Sequence, residues 1–83
     1  MMSDFPLIKL LHNPPEAKKS LLPEGIKYQR YEIVPKEGTM TVYIPMRECE
    51  AFEEALMEYK VLLRSDVRSL LRTHRGIIEA IGE

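Results

Sequence analysis

With a single cysteine, Cys49, in 83 residues, the chain cannot close a disulfide within itself. A domain this short buries a smaller share of its surface than a longer one, so its stability is marginal unless something adds to it. With cross-linking excluded, oligomerisation is the expected extra source of stability. Cys49 lies in a helical pattern, which predicts a reduced packing residue, and a lone thiol fits an intracellular protein. Long apolar runs are missing too: nothing approaches the roughly 18 residues of a transmembrane helix. The stretch MMSDFPLIKLL has no basic n-region and carries a proline in its short apolar run. A signal peptide is therefore not expected, and the cytoplasm is the expected location. Neither sign of charge dominates. Twelve Lys+Arg against 13 Asp+Glu give a formal net charge of −1, so no global field draws the chain to nucleic acid or membrane. Side-chain amides are confined to Asn13 and Gln29, a shortage that, with many charged residues, is also seen in thermophile proteins.

Internal repeats, low-complexity segments and linkers are absent, so residues 1–83 read as one small domain. FPLIKLLH, from Phe5 to His12, reads as a short strand. Its nearly continuous apolar character predicts a buried position, with Pro6 at its start or on an edge. In NPPEAKKSLLPEG, Asn13 followed by Glu16 has the form of a capping box, and prolines suit a first helical turn. Pro23 then ends a helix of about two turns. IKYQRYEIV, PKEG and TMTVYIP, from Ile26 to Pro45, carry a hairpin signal. Setting Val34 opposite Thr39 places Ile33 against Met40 and Tyr31 against Val42, with Ile44 on the same face. Arg30, Glu32, Thr41 and Tyr43 fall on the other face, and this clean sorting supports the register. Tyr28 and Ile26 lie on the opposite parity, which predicts a bulge near Gln29.

From Met46 no proline or glycine occurs until Gly76. Phe52, Leu56, Tyr59, Leu63, Val67, Leu70, His74, Ile77 and Ile81 recur at the α-helical repeat and cluster within a band about 80° wide. Acids (Glu48, Glu50, Glu53, Glu54, Glu58) occupy the first half and bases (Lys60, Arg64, Arg68, Arg72, Arg75) the second, as one helix's dipole favours. The pattern predicts a helix over 47–75, with a break at Ser65-Asp66 as the alternative. Such a helix would be about 44 Å long against a domain about 30 Å across. Its projecting apolar end would then need a second chain, paired antiparallel so that acidic and basic halves meet. The stripe Phe52, Leu56, Tyr59, Leu63, Val67 and Leu70 carries packing and pairing.

Lys60, Arg64, Arg68, Arg72 and Arg75 form a basic row that would suit phosphate contacts to nucleic acid. A solvated, dipole-matched helix face is the plainer reading, since no interleaved aromatics or glycine loops accompany it. Cys49, His12 and His74 are too scattered for a metal motif, and no metal or cofactor is expected. No serine or cysteine stands in a recognisable pairing with a histidine, so no catalytic residue is assigned and enzymatic activity is not expected. Tyr28, Tyr31, Tyr43 and Tyr59 could stack on a ligand, but cross-strand packing is the ordinary use of such residues.

LPEGIKYQRYEIVPKEGTMTVYIPMRECEAFEEALMEYKVLL, from Leu22 to Leu63, resembles the small dimerisation subunit of the KEOPS complex, which makes threonylcarbamoyl-adenosine on transfer RNA. Leu22-Pro23-Glu24 matches that subunit's junction, and Ala55-Leu56-Met57-Glu58-Tyr59 its helical core. The resemblance implies a non-catalytic scaffold that dimerises and docks a catalytic subunit. The chain departs from that family in its short first helix and in the helical pattern beyond Leu63.

The expectation is thus an α+β domain with an N-terminal strand, a short helix, and a β-hairpin packed on a long C-terminal helix. Its expected function is that of a non-enzymatic interaction or scaffold subunit, homodimeric through that helix, with an unidentified protein partner and a tRNA-modifying assembly as one setting. The alternative is a small nucleic-acid-binding protein using the basic half of the helix. No membrane partner is expected.

Overall fold

A computed structural model describes residues 8–12 and 16–82. The expected strand start at Phe5 and Pro6 and the capping residue Asn13 lie outside them. Four strands, β1 (Ile8–Leu10), β2 (Tyr28–Ile33), β3 (Met40–Pro45) and β4 (Ile77–Ile81), form one antiparallel sheet in the order β1-β2-β3-β4. The helices are α1 (Glu16–Lys19), α2 (Cys49–Leu56) and α3 (Arg64–His74), with a 3-10 turn at Met46–Glu48 leading into α2.

The hairpin forms in the expected register, with Ile33 opposite Met40 and Tyr31 opposite Val42. Its loop closes where the Gly38 N–H donates to the Pro35 carbonyl at 3.1 Å, with Gly38 at a φ of 137° that side chains rarely adopt. Tyr31, Ile33, Met40, Val42 and Ile44 meet Phe52, Leu56, Leu62, Val67 and Leu71 in one core. Burying both the hairpin's apolar parity and the helical faces against each other is what joins these two layers.

Three local expectations change. The first strand is not buried: β1 is an edge, paired only to β2, and Leu10 is largely exposed. The first helix has one turn rather than two. No bulge occurs at Gln29, which pairs in step with Ile44. Gln29 stays on the core-side parity because its amide finds partners there, donating to the carbonyls of Leu11 (3.3 Å) and Arg30 (3.0 Å). Tyr28 therefore faces the polar side without any irregularity.

The larger correction is that the long C-terminal helix does not exist. The chain leaves α2 at Leu56, turns through 57–63, and forms α3 of only 11 residues. The alternative break at 65–66 falls a few residues too late, although Asp66 does serve the new start: its carboxylate accepts the Leu63 N–H at 3.0 Å. The turn is fastened to the hairpin loop. Lys36 N–H donates to the Leu62 carbonyl at 2.7 Å, and Arg64 N–H to Glu37 Oε1 at 2.8 Å. Leu62, which the 3.6-residue stripe skips, is buried at 2%, while Leu63, which the stripe includes, is 37% exposed.

Folding back in this way lets residues 77–81 pair with β3 instead of prolonging a helix. The backbone groups along β3 that would otherwise face water find partners, and the projecting rod is replaced by a body of 36 × 26 × 26 Å. Alpha3 ends at Arg75 in the left-handed conformation (φ 60°), and Gly76 N–H donates to the Leu71 carbonyl at 2.7 Å. Gly76 has no room for a side chain: a Cβ there would sit 2.8 Å from Ile44 Cδ1 and closer still to Leu71 Cδ2. The α3-to-β4 turn is thereby packed directly onto the core.

A pair of truncations distinguishes the broken arrangement from a continuous helix. Leu62→Ala should cost about 2–4 kcal/mol by urea denaturation, as a buried leucine does, while Leu63→Ala should cost less than about 1 kcal/mol. The reverse order would restore the continuous stripe.

Candidate functional site

Arg30, Tyr43 and Glu79 stand on three successive strands, on the sheet face turned away from α2 and α3. Arg30 and Tyr43 occupy the polar parity of the hairpin and are direct cross-strand partners. Glu79 reaches them because β4 is irregular. Thr41 pairs with Ala80 but Val42 pairs with Ile78, so Glu79 is an extra residue on its strand. Such a bulge re-aims a side chain. The Arg30 guanidinium donates to both carboxylate oxygens of Glu79, at 2.8 and 3.1 Å, and the Tyr43 hydroxyl donates to Glu79 Oε1 at 2.6 Å. The Glu79 side chain is 7% exposed.

This arrangement shifts two of its members. The hydrogen bond to Glu79 holds the Arg30 guanidinium above its ordinary value. Burial, and then the carboxylate, push the Tyr43 phenol up to about 12. A bidentate guanidinium–carboxylate pair with a phenol on one oxygen leaves few lone pairs for anything else, so its work is to fasten β4 across β3 to β2.

Among the described residues the outer side of β4 is a free sheet edge. Gly82 N–H donates to the Thr39 carbonyl at 2.7 Å, and antiparallel alternation then turns the Ile81 N–H and C=O outward. Ile78 and Ile81 are exposed at 36% and 40%. Beside this edge runs a groove of about 420 Å³ lined by Arg68, Leu71, Arg72, Gly76 and Ile78. Edge strands are ordinarily blunted by short length, by lysine or proline, or by inward-pointing charge. Strand β1 has three residues, one of them Lys9. Strand β4 has five, and its one charge, Glu79, is held by the partners behind it.

The residues singled out in the sequence are distributed over several places. Phe52, Leu56 and Val67 are buried, Tyr59 and Leu70 pack partly against them, and Leu63 is exposed. Lys60 is exposed in the turn between α2 and α3. The Arg64 guanidinium donates to the Gly82 carbonyl, clasping the end of β4. Arg68 and Arg72 stay exposed on α3 beside that edge, whereas Arg75 turns to the other end of the sheet. The Cys49 thiol donates to the carbonyls of Ile44 and Pro45, and burial raises its pKa, which keeps it protonated and unreactive at neutral pH. His74 packs edge-on to Phe52 and sits 3.0 Å from Glu48 Oε1. Among the described residues no group of three His, Cys, Asp or Glu could hold a metal ion. No helix among them is long and apolar enough to cross a membrane.

No family model, curated protein or solved structure matches the chain. The segment Leu22–Leu63 folds as the hairpin followed by α2, with Ala55 and Leu56 in the last helical turn and Tyr59 beyond it. Sequence reasoning missed Glu79 and the edge it stands on. The adjacent β-branched pair Ile77-Ile78, following Gly76, was the available signal.

The phenol gives a pH test of the three-strand contact. Its folded pKa, about 12, lies above the ordinary tyrosine value. Its contribution is therefore intact below about pH 10 and is lost as pH rises toward the folded value. Urea denaturation across pH 9–12 should show the wild type losing stability, with Tyr31, also raised by burial, contributing. Tyr43→Phe should start about 1–2 kcal/mol lower and decline less steeply. Equal slopes in the two proteins would show that Tyr43 is not held by Glu79.

Proposed function

We propose that the protein is a non-enzymatic interaction domain that self-associates along the outer edge of β4, joining two four-stranded sheets across a twofold axis. The observation that carries this reading is the edge itself: its strand has no lysine or proline, and its single charge points inward to Arg30 and Tyr43. Ile78 and Ile81 would be covered by the second copy, and the groove against α3 would be closed. Isologous pairing about a twofold axis is the commonest form of self-association. The bulge at Glu79 twists the strand, so straight pairing runs from Ala80 onward and the interface is small.

This interface replaces the helix-mediated one expected from the sequence, and it has a different electrostatic signature. Arg68 and Arg72 flank the edge and would approach their own symmetry mates. Screening weakens that repulsion, so association strengthens with salt, whereas acid-to-base pairing of two long helices would have weakened. A domain of this kind suits a scaffold subunit, and the resemblance of Leu22–Leu63 to a KEOPS subunit fits that role. The partly buried thiol of Cys49, its pKa raised by desolvation, fits a reducing cytoplasm.

Sedimentation analysis over roughly 10–200 µM protein, a range suited to weak interfaces, should reveal a species of twice the 9.7 kDa chain mass. The dimer fraction should rise between low and high salt. Ile81→Lys should return the protein to the monomer with an unchanged circular dichroism spectrum. A wild-type chain that stays monomeric across the whole range would sink the reading.

A further inference from the structure

A second concave surface lies at the far end of the sheet, independent of the β4 edge. It has a volume of about 510 Å³, within the range of small-molecule sites. Three cations line it from three separate parts of the chain: Lys27 ahead of β2, Arg47 in the 3-10 turn after β3, and Arg75 at the end of α3. The Lys27 backbone is fixed where its carbonyl accepts the Met46 N–H at 2.9 Å. Among the described residues no carboxylate lines the groove. Glu48, the acid next to Arg47 in sequence, is turned to His74. Among the described residues none of the three cations makes an ion pair. The rest of the lining is flat and apolar, with Pro23, Ile26, Tyr28, Pro45 and Met46.

Arg75 adds a further point. It is the one non-glycine residue with positive φ among the described residues, at 60°. A helix end in this conformation is ordinarily a glycine, which would relieve the strain but place no charge over the groove. Like charges lining one concavity repel, and a bound anion would remove that repulsion. A tyrosine ring and a thioether beside them suit a planar apolar body attached to the anion.

We propose that this groove binds a nucleotide unit, with its phosphate held by Lys27, Arg47 and Arg75 and its base laid against Tyr28 and Met46. The unit comes either free or as part of a single strand, since phosphate and base are the same chemistry in both.

The test uses the full chain at low salt, titrated in turn with adenosine monophosphate, inorganic phosphate and a fluorescein-labelled ten-residue oligoadenylate. Binding is read by anisotropy or by ¹⁵N amide shifts. Adenosine monophosphate should bind with amide shifts at Lys27, Arg47 and Gly76, and inorganic phosphate roughly tenfold or more weakly for want of the base contact. An oligoadenylate that binds much more tightly than the monophosphate identifies a single strand as the source, and equal affinity identifies the free nucleotide. Arg75→Gly relaxes the backbone, so it should keep or raise the melting temperature while weakening binding roughly tenfold. Arg47→Ala should weaken it similarly without altering the fold. The proposal is overturned if no nucleotide binds, if phosphate alone binds as well as the nucleotide, or if Arg75→Gly binds as tightly as the wild type.

Discussion

The hydrogen-bonded contact of Arg30, Tyr43 and Glu79 decides where the last strand lies. One carboxylate takes both arms of a guanidinium from β2 and a hydroxyl from β3. It can do so only if β4 lies beside β3 and carries its extra residue at Glu79. Without these partners Glu79 would place a charge on a nearly covered site, a costly arrangement. The contact thus specifies the order and the register of the strand more than it adds net stability, as is common for ion pairs removed from water. The turn between α2 and α3, the length of α3 and the tight packing at Gly76 all serve to deliver residues 77–81 to this position.

The hairpin was legible because a strand's period is two, so a pairing of the wrong parity would mix apolar with polar on each face. Tyr31, Ile33, Met40, Val42 and Ile44 share a face in the observed register, and the short PKEG loop selects it among those of the right parity. The helix was misread because a 3.6-residue stripe remains continuous through a reversal of the chain. Phe52, Leu56, Val67 and Leu70 satisfy the helical spacing in two separate helices as well as in one. What distinguishes the arrangements is Leu62, off the stripe yet buried, whose carbonyl accepts the N–H of Lys36 from far away in sequence. No local pattern contains that contact. Nothing in residues 57–63 marks a stop with glycine or proline, so the tertiary bond overrides a permissive local sequence.

The sorted charges were misleading for a related reason. Alpha3 keeps Asp66 in its first turn and Arg72 and His74 in its last, as its own dipole favours. Arg64 at its start opposes that dipole. Its placement is explained by the Gly82 carbonyl, which it reaches across to the end of β4. Residues that appeared to form one basic row therefore separate into an arginine that secures the fold, two that border the open edge, and Arg75, which faces the other end of the molecule. Arg30 and Tyr43 were legible as a polar face, but their partner was hidden because no strand was expected beyond the helix predicted over 47–75, where Glu79 lies.

The fold also changes the reason for expecting a second chain. Length alone no longer supplies one: the radius of gyration is 12.3 Å, close to the roughly 12 Å of a self-contained domain this size. An apolar end no longer projects into water. What remains unfinished is directional, namely the outward N–H and C=O of Ile81 on a strand whose only charge has been drawn inward. Water can satisfy those groups, so the edge does not compel association as a bare hydrophobic rod would. It offers a template whose occupancy depends on concentration and on the charge of Arg68 and Arg72 beside it. Under the self-association proposed above, the contact is weak and salt-tuned, and its weakness follows from the same bulge that lets Glu79 hold the sheet together.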